Sequence, residues 1–207
     1  VSKTNEMADA EAIDNRLFLL ILQHPREKRE ALATAALTVA MLRRAELVVG
    51  LSWPNLARAL GRPADPRRWA VLYLGSARPR GFGLHSDVVA LDSNGEPAAD
   101  QAAMLRNLDG AVLLDGSWGE AKALWWRNPW LLKLRRLVLD PQRPSHYNRV
   151  RREPRREALS TIEAAALLLK RIEGRPQIET ALNDALDQLI AEAGAFDRRP
   201  GHRRAAR

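Results

Sequence analysis

The chain has 207 residues, 46% hydrophobic and 28% charged, which is enough for one domain with a sizeable core, and no apolar run is long enough to cross a bilayer. It contains no cysteine, which excludes disulfides and thiolate zinc sites and makes a cytoplasmic protein the default. The net charge of +8 is concentrated in two places: residues 198–207 hold five Arg and no acid, and residues 143–157 hold six Arg against two Glu. The rest of the chain is therefore close to neutral. Arg at this density suggests a polyanion partner, because its planar fork matches phosphate geometry. A solvated surface and a frayed tail are the plain alternatives.

The first segment, 1–14, is polar, lacks the pattern of a signal peptide, and reads as disordered. "LFLLILQH" (17–24) is a continuous apolar run of strand length, the pattern of a strand covered on both faces. Pro25 ends it, and 26–45, rich in Ala, Leu, Arg and Glu, reads as a long helix. A second strand is expected over 46–53, then one or two helical turns opened by Pro54, then a third strand over 67–76 closed by Gly75-Ser76. A weaker strand at 86–92 stops before Asn94-Gly95, and a helix follows over 99–108. "GAVLLDG" (110–116) is the next strand, and "EAKALWWR" (120–127) the next helix. Asn128-Pro129 breaks that helix and starts another, "PWLLKLRR", ahead of a strand over 136–140. Beyond the Arg-rich segment, "STIEAAALLLKRI" (160–172) opens with the capping-box spacing of Ser160 and Glu163, and a last amphipathic helix follows. Strands alternating with helices, most of them apolar throughout, predict an α/β domain with a largely parallel sheet flanked by helices. The domain is expected over 15–194, with a basic disordered tail over 195–207.

Ligands gather outside the carboxyl ends of the strands in open parallel sheets. Those ends carry Gln23-His24, Gly75-Ser76, Asp115-Gly116-Ser117-Trp118 and Asp140-Pro141. Asp115 is the sharpest candidate: a carboxylate at a buried strand tip is costly unless hydrogen-bonded or put to use, and it is suited to act as a base. The competing reading makes it the N-cap of the next helix. Trp118 is placed to stack on a flat ligand or to plug the core, while Trp125, Trp126 and Trp130 fit core or interface packing. His24 reads as a structural histidine or as a contact to an anion or ribose. The 160–163 stretch is explained by capping, and the same helix start offers free N–H groups to a carboxylate or phosphate. There is no P-loop, no dinucleotide-binding glycine pattern, no nucleophile elbow, and the four His are too scattered for a metal site.

"LLILQHPREK", "VLYLGS", "AVLLDGSWGEAKAL" and "YNRVRREPRREALSTIEAAALLL" occur here in the order seen in DTW-domain proteins, and the chain resembles that family from about Leu17 to Leu189. The family comprises tRNA-uridine aminocarboxypropyltransferases related to the knotted SPOUT methyltransferases. The resemblance implies a SPOUT-like fold with a C-terminal trefoil knot, tRNA and S-adenosylmethionine as partners, and no membrane. It also implies transfer of the 3-amino-3-carboxypropyl group to uridine N3 with release of methylthioadenosine. Asp115 matches the motif carboxylate and is implied as the base. Leu74, Gly75, Ser76, Leu114, Gly116 and Trp118 are implied to line the adenosine or methionyl part of the donor. Tyr147, Arg149, Ser160, Thr161 and Glu163 are implied to hold its carboxylate or a nearby phosphate. Arg26, Lys122, Arg151, Arg152 and Arg155 are implied RNA contacts. Two departures stand out: Ser117 replaces the usual motif Thr, keeping the hydroxyl, and the cysteine-rich metal-binding segment that many members carry ahead of the first strand is missing, which implies a metal-free chain. A SPOUT-type methyltransferase, an aminocarboxypropyltransferase acting on ribosomal RNA and a non-catalytic RNA-binding domain are the alternatives.

Overall fold

The apolar run at the start of the chain becomes a strand buried on both faces, and the rest of the domain follows from that. The computed structural model describes residues 12–27, 34–72, 87–139 and 159–197, with side chains as far as 193. The strands are β1 (Phe18–Gln23), β2 (Ala45–Val49), β3 (Trp69–Leu72), β4 (Val88–Leu91), β5 (Gly110–Asp115) and β6 (Arg135–Leu139). The helices are α1 (Thr34–Met41), α2 (Leu56–Leu60), α3 (Gln101–Arg106), α4 (Trp118–Arg127), α5 (Thr161–Glu173) and α6 (Pro176–Asp197), with 3-10 turns at Pro66–Arg68 and Pro129–Lys133. They build a six-stranded sheet in the order β2-β1-β5-β3-β6-β4, parallel except for β4. The expected α/β architecture with a mostly parallel sheet is what forms. β4 is the exception: it pairs antiparallel with β6 at the sheet edge, and after the turn at Gly95 the chain comes back to bridge Leu91 with Pro97.

Alternation along the strands separates two cores. Leu19 and Ile21 of β1, with Ala111 and Leu113 of β5, pack under α1, α3, α5 and α6. Leu20 and Leu22, with Val112, face α2, Trp69 and the 3-10 turn carrying Trp130 and Leu131. Gly110 opens β5 because a Cβ there would lie 2.6 Å from the Trp69 ring. The two C-terminal helices form a hairpin with a left-handed Gly174 cap, and Lys170 Nζ ties it to Glu179 (2.9 Å) and to Asp87 ahead of β4 (3.4 Å).

Several expected boundaries are corrected. The long helix ends at Met41, and residues 28–33 of its expected span lie outside the described residues. Arg44 is held off the helical path by buried Asn15, whose side chain accepts from the Arg44 N–H and donates to the Arg44 and Leu17 carbonyls, so Ala45 enters β2. Pro54 does not open the next helix. Asn55 caps it instead, accepting from the Arg58 N–H. Ile13 already bridges Leu42, and α6 runs to Asp197.

Asn128 explains two further corrections. β2 stops at Val49 rather than Trp53, and "PWLLKLRR" splits into a 3-10 turn and the start of β6. The Asn128 side chain is fully buried. Its Oδ1 accepts from the Trp53 N–H (2.8 Å) and the Trp130 indole (3.2 Å), and its Nδ2 donates to the Leu51 (3.1 Å) and Leu124 (2.8 Å) carbonyls. One amide thus draws 51–53 out of the sheet and ends α4. Replacing it by Ala strands buried polar groups on both sides, and Asn128→Ala is expected to cost about 2–3 kcal/mol in urea unfolding at unchanged m-value. The tryptophans divide accordingly: Trp130 is buried, Trp125 packs partly against the same core, and Trp126 is 77% exposed and belongs to no core.

Candidate active site

The parallel register sets Gln23 directly beside Asp115, at the carboxyl ends of adjacent central strands. Both side chains emerge on the α5 face, following Ile21 and Leu113 of that core. Asp115 is only 7% exposed. Its Oδ2 accepts from Gln23 Nε2 at 2.8 Å and its Oδ1 accepts from the Thr161 hydroxyl, the first residue of α5. The carboxylate is therefore fixed from two sides, and among the described residues these bonds leave one lone pair on each oxygen. It does not cap the following helix. That position belongs to Ser117.

Two helix starts meet around this carboxylate, and they are built alike. At α4 the Ser117 N–H and hydroxyl donate to Glu120 Oε2 at 2.9 and 2.7 Å. At α5 the Ser160 N–H and hydroxyl donate to Glu163 Oε2 at 2.9 and 2.6 Å. The sequence reading found the second pair and missed the first, although Ser117 and Glu120 have the same spacing. It also passed over Gln23 as a partner of Asp115, because only strand register joins residues 92 apart.

Glu120 links the turn to β1, its Oε1 lying 3.4 Å from His24 Nδ1, while the His24 N–H donates to the Asp115 carbonyl. Through these two contacts His24 serves as a joint between the strand ends. Partial burial alone would raise the Glu120 carboxyl. The Ser117 hydroxyl and N–H, aided by His24 and Glu27, outweigh it and hold the group below its ordinary 4.5. A depressed carboxyl contributes stability above its unfolded value and loses it as the pH falls through its folded one. The stability difference between wild type and Glu120→Gln, measured by urea unfolding, is thus expected to be full above 4.5 and to shrink below it.

The remaining expected site residues fall as follows. Gly116 sits at φ +151°, between Glu120 and His24. Trp118 is half-buried at the first turn of α4 with Lys122 Nζ 5.8 Å from its ring centroid, and Lys122 and Arg26 are exposed near the same strand ends. Leu114 packs into the core on the face opposite Asp115. Leu74, Gly75, Ser76, Tyr147, Arg149, Arg151, Arg152 and Arg155 lie outside the described residues.

A fixed carboxylate at paired strand ends, with a Ser/Glu-capped helix start on either side, is what the described residues assemble here. Comparison with known proteins bears out the family resemblance. The chain is similar to tRNA-uridine aminocarboxypropyltransferase 2 of Drosophila melanogaster, 32% identical over 83% of this chain and 62% of that protein. It is also similar to tRNA-uridine aminocarboxypropyltransferase 2 of Macaca fascicularis, 26% identical over 84% of this chain and 53% of that protein. The chain thus spans somewhat over half the length of these curated relatives. No solved structure matches it. The family model described as the DTW domain matches residues 4–193, and the chain belongs to the DTW-domain family.

Proposed function

We propose that this chain, with 15–194 as its catalytic unit, transfers the 3-amino-3-carboxypropyl group of S-adenosylmethionine to N3 of a tRNA uridine in the cytoplasm. The observation that carries the reading is the Asp115 carboxylate, held by Gln23 and Thr161 where β1, β5, α4 and α5 meet. Membership of the DTW family and the names of the two relatives support the reaction class and the substrates.

The chemistry requires N3 to lose its proton, since the neutral imide nitrogen is a poor nucleophile. A new N3–C bond forms, the C–S bond of the sulfonium donor breaks, and methylthioadenosine leaves as a neutral thioether. Asp115 takes the N3 proton through a lone pair not used by Gln23 or Thr161. The same negative charge attracts the sulfonium. The N–H groups at the start of α5, beside Ser160 and Thr161, suit the donor's carboxylate, with Glu163 holding Ser160 in place. Gly116 and Trp118, with Leu74, Gly75, Ser76 and Leu114, are assigned to the donor's adenosine or methionyl part, and Tyr147 and Arg149 to its carboxylate or a nearby phosphate. Arg26, Lys122, Arg151, Arg152 and Arg155 are assigned to the RNA backbone.

The SPOUT-like relation, including a C-terminal knot in the segment between β6 and α5, belongs to this proposal. It is favoured by where the described chain resumes: α5 begins at the tip of β5, on the far side of β3 from β6. The test is product analysis after incubation with tRNA and S-adenosylmethionine. Methylthioadenosine and an aminocarboxypropyl-uridine nucleoside are expected. S-adenosylhomocysteine in their place would make the protein a methyltransferase.

A further inference from the structure

The end of the sheet opposite Asp115 carries its own arginine row. Arg16 precedes β1, Arg43 and Arg44 precede β2, Arg67 and Arg68 precede β3, and Arg135 opens β6. Parallel pairing brings all these strand starts to one edge. From β2 to β6 that edge spans about 19 Å, four strand spacings of roughly 4.8 Å each. It lies about 17 Å from Asp115, the rise of β5 at roughly 3.3 Å per residue.

The carboxylates on this edge are mostly committed. Asp109 pairs with Arg68 at 2.6 Å, Asp65 accepts from the Arg67 N–H, and Glu173 accepts from the Arg16 and Leu17 N–H groups. No carboxylate among the described residues lies within ion-pair distance of Arg44 or Arg62. These two line a cavity of about 190 Å³ with Phe18, Trp69, Asp65 and Asp109. Arg62 lies 4.4 Å over the Phe18 ring, which presents its guanidinium as an oriented plate.

We propose that this edge is a second RNA-contact face, with Arg44 and Arg62 at its centre, binding the phosphate backbone away from the reacting uridine. A row of guanidinium groups suits an extended chain of phosphates better than a single anion, and the Arg62 plate held over Phe18 offers a base a surface to stack against. The inference rests on the reading of this chain as an enzyme of RNA.

The test titrates an in vitro transcribed tRNA against wild type, Arg44→Ala/Arg62→Ala and Arg44→Gln over a range of salt concentrations, with thermal melting to confirm folding. The double variant is expected to bind about ten-fold more weakly and to flatten the log–log salt slope by about two, since each duplex phosphate contact contributes roughly 0.9. Arg44→Gln, which disturbs no ring contact, should give about half that change. Affinity and slope equal to wild type in both variants would overturn the proposal. So would selective loss of binding to a polyglutamate peptide, which would assign the face to an acidic protein. A wild type that binds the transcript through this face but transfers nothing from S-adenosylmethionine would sink the enzymatic reading and leave the face standing.

Discussion

Asp115→Asn is expected to lower the single-turnover transfer rate about 10²- to 10⁴-fold, the usual contribution of a positioned proton acceptor, while donor affinity stays within a few-fold of wild type. The asparagine occupies the same volume. Its carbonyl can still accept from the Thr161 hydroxyl, and the Gln23 amide can turn over to present its oxygen to the new NH₂. The strand-end scaffold therefore survives, and thermal unfolding should show it. What is lost is a group able to hold the N3 proton. A wild-type rate in a folded variant would remove Asp115 from the chemistry and leave it as a joint between β1, β5 and α5. Loss of donor binding alongside rate would instead mean that its charge acts mainly on the sulfonium.

The parts of this fold that could be read from sequence are those set by local pattern. The unbroken apolar runs at 17–22 and 111–114 mark strands buried on two faces, and the Ser160/Glu163 spacing fixes the start of α5. What stayed hidden depends on contacts between distant residues. Asn15 redirects Arg44, and Asn128 ends β2 by binding backbone more than seventy residues away. Neither effect leaves a periodic trace. β4 reads like its neighbours because direction within a sheet is set by connection and edge position, not by composition.

The site shows the same division. Asp115 stands out because a carboxylate at the tip of an apolar strand demands a reason. Its partners do not stand out. Gln23 reads as an ordinary strand end until the β1–β5 register sets it alongside, and Glu120 reads as an exposed helical acid until Ser117 folds back onto it. Trp126 takes no part in either core: of the core or interface packing expected for the three tryptophans, only Trp125 and Trp130 find the core within this chain.

Gly116→Ala is the substitution expected to damage both fold and activity. At φ +151° the backbone lies in a region that side chains avoid, at a strain of about 1–3 kcal/mol for a non-glycine residue. The added Cβ would also sit 2.9 Å from Glu120 Cβ and 3.4 Å from His24 Cβ, both anchored by hydrogen bonds at the strand ends. Relief requires the first turn of α4 to move away from β1, which breaks the Ser117–Glu120 pairing and shifts Trp118. Crowding of this kind adds roughly 1–3 kcal/mol. The combined loss should appear as a lower urea midpoint, and the transfer rate should fall even in the fraction that remains folded. Gly119→Ala, three residues along, is the matched control. A Cβ there meets nothing within 4 Å, and the residue lies in the first turn of α4. Alanine at that position is expected to leave activity intact and to stabilise by up to about 0.5–1 kcal/mol. Equal behaviour of the two variants would mean that the turn after Asp115 yields freely and that the Ser117–Glu120 pairing is not needed to hold the site.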